Sequence, residues 1–264
     1  MTESVDRFVS QGVELAMKVA QLPAVPTASW CRQAATTLAP LGDFERSVVG
    51  IARVSHGGAM LEAIVSVGVH VPSAPSDHLE ESLLRAKRTA WAPAGVQPDL
   101  TKPWVIAVDA EMMRRSQGGP WSLTISPRIA IATAPFGDDC GEHVLFAAVG
   151  SSDPNLATSP LLPALRALTD LLARRAKLAM GCPDKPIRWI SPREQEVLEL
   201  LIEGMSVKEI GESLGRSPHT ITDHLKSLHR KLSANSRGEL VAKALGRPST
   251  RKVLPTPEAD HNWG

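Results

Sequence analysis

The stretch Ser191–Gly246, SPREQEVLELLIEGMSVKEIGESLGRSPHTITDHLKSLHRKLSANSRGELVAKALG, is dense in helix punctuation. Ser191 offers an N-cap hydroxyl, Pro192 occupies the first helical position, and Glu194 places a carboxylate where it closes a capping box. Val197, Leu198, Leu200 and Leu201 form the buried stripe of this first helix, and Gly204 supplies the left-handed residue that ends it. Ser206 and Glu209 repeat the box, Ile210 and Leu214 share one face, and Gly215 closes a short second helix. The third helix begins at Ser217 with Pro218 and turns Ile221, Leu225, Leu228 and Leu232 inward. Ser236 and Glu239 make one more box before LVAKALG, the fourth. Short helices joined by tight glycine turns describe a helix-turn-helix module, with the motif running from Ser206 to Leu225.

Charge divides along the chain in the same place. The whole chain of 264 residues is near neutral at +1. Arg188 to Lys252 carries 12 Lys and Arg against 8 Asp and Glu, a net of +4, whereas residues 1–187 carry a net of -1. Positive charge gathered in one terminal segment suits a polyanion partner.

These residues resemble the LuxR-type DNA-binding domain of bacterial response regulators and quorum-sensing activators. Lys208-Glu209-Ile210, Ser217, His219-Thr220, His224-Leu225 and Arg230-Lys231-Leu232 fall in that family's order and spacing, over about a fifth of the chain. The resemblance implies double-stranded DNA as partner, with the third helix in the major groove. Setting aside the inward residues leaves His219, Thr220, Thr222, Asp223 and Lys226 as candidates for base edges. Ser217, the free N–H groups at the helix start, Lys208, Arg230 and Lys231 suit phosphate oxygens. Leu240, Val241, Ala244 and Leu245 share a face of the fourth helix, which in the family mediates dimerisation on DNA, so a homodimer is expected. Many relatives carry Lys or Arg where this chain has Thr222, and Asp223 beside it repels phosphate. The contrasting reading keeps the same helices but gives them a protein partner such as RNA polymerase.

Residues 1–182 read as an α+β domain, an antiparallel sheet with flanking helices, and the all-α four-helix module follows at 190–246. An opening helix carries Val5, Phe8, Val13, Leu15, Ala16 and Val19, and a second spans Ser29 to Leu38. Two apolar runs, 46–54 and 59–69, flank SHGG as a hairpin. A helix follows over His78 to Trp91. Strands are expected at 104–110, 121–134 (with Pro127 splitting the run or confining it to an edge) and 142–150, and a closing helix at 160–180. This layout is similar to GAF or PAS sensor domains, which implies a pocket for a small-molecule effector on one sheet face. Residues 183–189 read as a linker and 247–264 as a disordered, Pro-rich tail.

Several classes are set aside. Autoinducer-binding domains use Tyr and Trp around their ligand, and this chain has 6 Trp but no Tyr. Trp91, Trp104 and Trp121 fall at element edges where an aromatic can line a cavity. Asp138, Asp139, Cys140, Glu142 and His143 could ligate a metal, but their glycine neighbours read as hairpin-turn chemistry, and neither a metal nor a cofactor is expected. Cys31, Cys140 and Cys182 lack any CxxC pair and read as reduced thiols. Without a membrane span or a secretory signal the chain is expected in the cytoplasm, as a regulator and not an enzyme.

Overall fold

The computed structural model describes residues 2–43, 46–54, 61–72, 77–84, 99–109, 112, 128–136, 143–180 and 188–247. In chain order the N-terminal part contains α1 (Thr2–Gln21), α2 (Trp30–Leu38), β1 (Ser47–Val54), β2 (Leu61–His70), α3 (Asp77–Leu84), β3 (Trp104–Asp109), β4 (Arg128–Phe136), β5 (His143–Ser151) and α4 (Leu161–Met180). The five strands form one antiparallel sheet in the order β2-β1-β5-β4-β3. The α+β layout expected from the sequence is therefore what these residues form.

Both sheet faces are covered, which explains strands that read as nearly unbroken apolar runs. Val49, Ile51, Ala130, Ala132, Leu145, Ala147 and Val149 point to the face packed by α1, α2 and α4, while Val48, Ala52, Ile129, Ile131, Val144, Phe146 and Ala148 point to the other, where Leu83 of α3 and Leu100 pack. Pro135 lies within β4, past the last pair that β3 makes, Trp104↔Thr133, so it is flanked on one side only by Val144. That is where a strand tolerates a missing N–H. Pro127 lies outside the described residues, as do Trp91, Trp121, Asp138, Asp139, Cys140, Glu142, Cys182 and the tail from 248.

Two apolar helix residues lie off the buried stripes. Val13 of α1 is 58% exposed and Leu171 of α4 is 38% exposed, because the buried stripes run through Leu15 and Val19 and through Leu165, Leu168 and Leu172 instead. Where α2 meets the sheet, Gly68 is essential: a Cβ there would fall on the backbone of Cys31 and Arg32. Gly68→Ala is expected to push α2, with its fully buried Trp30, off β2, at a cost above about 4 kcal/mol. Urea unfolding followed by tryptophan fluorescence measures it, and an unchanged midpoint would refute the close approach.

The C-terminal part comprises α5 (Pro192–Ile202), α6 (Val207–Leu214), α7 (Pro218–Lys231) and α8 (Arg237–Ala244). Its core of Val197, Leu198, Leu201, Ile210, Ile221, Leu228 and Leu240 includes one residue from far upstream, Val25. Among the described residues, no helix is long and apolar enough to cross a membrane.

Candidate nucleic-acid interface

The expected caps form. Ser191 accepts from the Glu194 amide at 3.3 Å and the Ser191 amide donates to Glu194 Oε2 at 2.8 Å. Ser206 and Glu209 repeat this at 3.3 and 2.7 Å, and Gly204 and Gly215 have φ of 95° and 61°. The carboxylate of Glu209 is held below its usual range chiefly by the Ser206 amide. At the fourth helix the box is displaced. Ser236 accepts from the Glu239 amide at 3.2 Å, but Glu239 takes the Asn235 amide at 2.8 Å and pairs with Lys243 at 3.2 Å.

Between α6 and α7 the turn is tight enough to demand glycine on the helix itself. A Cβ at Gly211 would stand 2.8 Å from the Arg216 carbonyl. Sequence reading passed over Gly211, since its requirement arises from a neighbouring segment and not from its own φ. Arg237 ties α8 to the first turn by donating to the Met205 carbonyl at 2.6 Å.

α7 presents its start to solvent. Ser217 Oγ accepts from the Thr220 amide at 3.1 Å and lies 2.9 Å from Thr220 Oγ1, so of the amides in this first turn only that of His219 has no partner within the helix. His219, Asp223 and Lys226 form an exposed row, with Asp223 3.5 Å from His219 Nε2 and 3.3 Å from Lys226 Nζ. Asp223 thus pairs with the Lys226 ammonium beside it, which tempers its repulsion of phosphate. Thr222 donates to the Pro218 carbonyl at 2.8 Å. Lys208 is exposed 3.9 Å from Glu212, an arrangement worth little in water. Lys226 and Arg230 also line an open cleft of about 750 Å³ with His229, Ser233, Ala234 and Asn235.

Lys231 is differently placed from Lys208 and Arg230. Its ammonium donates to Glu194 Oε2 at 2.6 Å and to the Trp189 carbonyl at 2.9 Å. Glu194 is only 5% exposed. Burial alone would raise its pKa, but the bonds from Lys231, Ser191 and Ser227 prevail and hold it at about 2. The supposed dimer face is also split. Leu240 is 0% and Ala244 9% exposed, both in the module's own core, whereas Val241 is half-buried and Leu245 is 45% exposed.

The module is seated on the N-terminal part by the segment between α1 and α2. Thr27 and Ile190 form a parallel β-bridge, in which Ile190 N donates to the Pro26 carbonyl at 2.7 Å and Ala28 N donates to the Ile190 carbonyl at 3.0 Å. Val25 enters the helical core, Trp189 packs on the N-terminal core, and Gly246 abuts Ala24. The same segment is fixed from behind. Trp30 Nε1 donates to the Pro23 carbonyl at 2.9 Å and the Arg175 guanidinium donates to the Leu22 carbonyl.

Elsewhere the described residues hold little chemistry. No group of His, Cys, Asp and Glu among them could bind a metal. His143 lies against the Phe136 ring at 5.8 Å. Cys31 is fully buried, and burial pushes its thiol up to about 12, which removes thiolate reactivity at neutral pH.

A capped helix with an exposed polar start, braced by a shorter helix across a glycine turn, defines a helix-turn-helix DNA-binding domain. Residues 189–244 match the family of bacterial regulatory proteins of the luxR type, and this segment is a LuxR-type domain. The transcriptional regulatory protein UhpA of Escherichia coli is 42% identical over 64 residues, 24% of this chain and 31% of UhpA. MctR, a transcriptional regulatory protein of Rhizobium johnstonii, is 38% identical over 64 residues, 24% of this chain and 30% of MctR. The chain thus spans under a third of either relative. Among solved structures, Escherichia coli SdiA superimposes over 90% of this chain and 97% of its own, at 16% identity and a TM-score of 0.41.

Proposed function

We propose that this chain is a sequence-specific transcriptional regulator whose α7 enters the major groove of DNA. The observation that carries this reading is the exposed start of α7. His219 there and Lys226 two turns on are exposed and Thr220 is half-buried between them and Ser217, while Ser217, Lys208 and Arg230 flank them at positions suited to the two phosphate backbones. Asp223 and Thr222 complete the surface offered to base edges. Lys231, occupied by Glu194, serves chiefly to fix α7 against α5.

The protein acts as a homodimer on a two-fold symmetric site. Val241 of α8 and Leu245, which caps its end, are the residues of that face free to contribute to such an interface. The N-terminal part, with its doubly covered sheet, is the sensor, in keeping with a GAF- or PAS-like layout. A small ligand shifts the population of the module's docked state through the segment from Leu22 to Ala28, which both cores share. Residues 1–182 serve as sensor, 183–189 as linker and 190–246 as DNA-binding module, working in the cytoplasm.

Selection of genomic fragments by the full-length protein tests the reading. A symmetric motif should be enriched, with affinity falling steeply as salt rises. Lys208→Ala and Arg230→Ala should each reduce the salt slope by about one unit. Failure to enrich any sequence, together with DNA-independent retention of purified RNA polymerase, would favour the protein-partner reading.

A further inference from the structure

The open cleft at Lys226 and Arg230 lies at the far end of the outward row of α7, where that helix turns toward α8. No carboxylate lines it. Among the described residues, the Arg230 guanidinium, the Ser233 hydroxyl and the Asn235 side-chain amide have no partner. A helix C-terminus ordinarily repels anions through its bare carbonyls. Here cations cover them. Lys243 Nζ donates to the Leu232 and Ser233 carbonyls at 3.1 and 2.7 Å, and Arg188 donates to the Arg230 carbonyl at 3.3 Å.

The imidazole of His229, which also lines the cleft, is set by the turn. Ala234 N donates to the His229 carbonyl at 2.9 Å, and the Ala234 carbonyl lies 2.8 Å from His229 Nδ1. A carbonyl only accepts, so Nδ1 carries the proton and Nε2 is the ring's variable site. Ser233 closes this turn at φ 50°, a left-handed position that glycine fills at less cost. Serine in its place adds a hydroxyl to the cleft.

We propose that His229 is a proton-dependent phosphate ligand, which makes the affinity for DNA rise as pH falls. The occupant of the cleft is a phosphodiester of DNA docked on the outward row of α7. Lys226 and Arg230 draw it in, and it accepts from His229 Nε2 once that atom is protonated. A neutral imidazole offers the phosphate only a lone pair there. Histidine changes charge between about pH 5 and 8, so in that range proton and DNA are taken up together. A proton held more tightly in the complex than in the free protein makes binding tighter at low pH and weaker at high pH. Carboxylates of the elements around α7 are engaged elsewhere and leave the cleft cationic. Glu194 of α5 accepts from Lys231, Glu209 and Glu212 of α6 meet the Ser206 amide and Lys208, and Glu239 of α8 pairs with Lys243. On α7 itself, Asp223 pairs with Lys226. The inference names a regulation of the proposed DNA interface and rests on that reading.

Affinity of the full-length protein for a fluorescent duplex of random sequence is followed at constant low salt between about pH 5.5 and 8. Wild type should bind about tenfold more tightly per chain at the acid end on account of His229, the worth of one hydrogen bond to a charged group. His229→Asn places an N–H where Nδ1 stands, which preserves the bond to Ala234, and removes Nε2. It should lose that tenfold and keep the wild-type affinity at the alkaline end, any remaining gradient belonging to His219 and His224. Calorimetry of wild type in buffers of different ionisation enthalpy measures proton uptake without any variant. No uptake on binding DNA near about pH 6.5, or a His229→Asn protein with the wild-type gradient, would overturn the proposal. A phosphate contact is blind to sequence, which separates the two readings. A His229-dependent gradient on random duplex with no sequence enriched from the genome would sink the specific regulator and leave this site standing. Binding without a gradient would do the reverse, and no DNA binding at any pH would overturn both.

Discussion

Glu194→Ala is expected to destabilise the helix-turn-helix domain by about 3–5 kcal/mol, the range for removing one partner of a buried ion pair. The residue does three things at once. It closes the capping box that starts α5, it accepts from Lys231 at 2.6 Å, and through Lys231 it ties the end of α7 to the carbonyl of Trp189. Alanine leaves a largely enclosed ammonium, 22% exposed, with only that carbonyl. The loss should appear in urea titrations of the full-length protein as early unfolding of the helical module, with DNA affinity falling in step. Glu194→Gln, which keeps the shape and one acceptor, should lie between. A midpoint within error of wild type for both variants would refute the role.

The same carboxylate sets an acid limit. Its pKa is about 2 in the folded protein against 4.5 unperturbed, so the unfolded chain binds the proton more tightly. Stability from this group is complete above pH 4.5 and is lost as pH falls toward 2. A shift of this size corresponds to about 3 kcal/mol. Glu194→Gln should flatten that part of the stability profile.

Val25→Asp is the second large effect expected, above about 3 kcal/mol, because it would place an unpaired carboxylate in an apolar core. Val25 is 4% exposed and packs with Ile190, which is 0% exposed, although it belongs to the connection between α1 and α2. The domain can relieve the buried charge by leaving its seat. Amide exchange at Ile190 and Ala28, which now bond across the bridge, should then become fast while the β4 and β5 amides stay protected. Unchanged protection at Ile190 would show that docking does not depend on Val25. A change in DNA affinity would give the sign of the coupling between the two parts.

Much of the DNA-binding module was legible because its signals are short in range. A cap bonds a hydroxyl to an amide three residues away, and a left-handed glycine acts on its own turn, so Ser191, Ser206, Ser217, Gly204 and Gly215 could be placed from spacing alone. The sheet was legible as strands, since apolar β-branched runs leave few alternatives. Its order was not, because pairing of β1 with β5 is decided by packing on both faces.

The sequence by itself thus determined the helix boundaries, the outward row His219, Asp223 and Lys226, and the concentration of positive charge. Tertiary structure alone decided which basic groups are free. Lys231 and Arg230 are neighbours in sequence, yet Lys231 is bound to a carboxylate 37 residues away while Arg230 is exposed. It also decided that Leu240 and Ala244 turn inward and that Val25 completes a distant core. The reason is common to all three. Helical and strand periodicity give the direction of a side chain from its own element, but what meets it there is set by long-range packing.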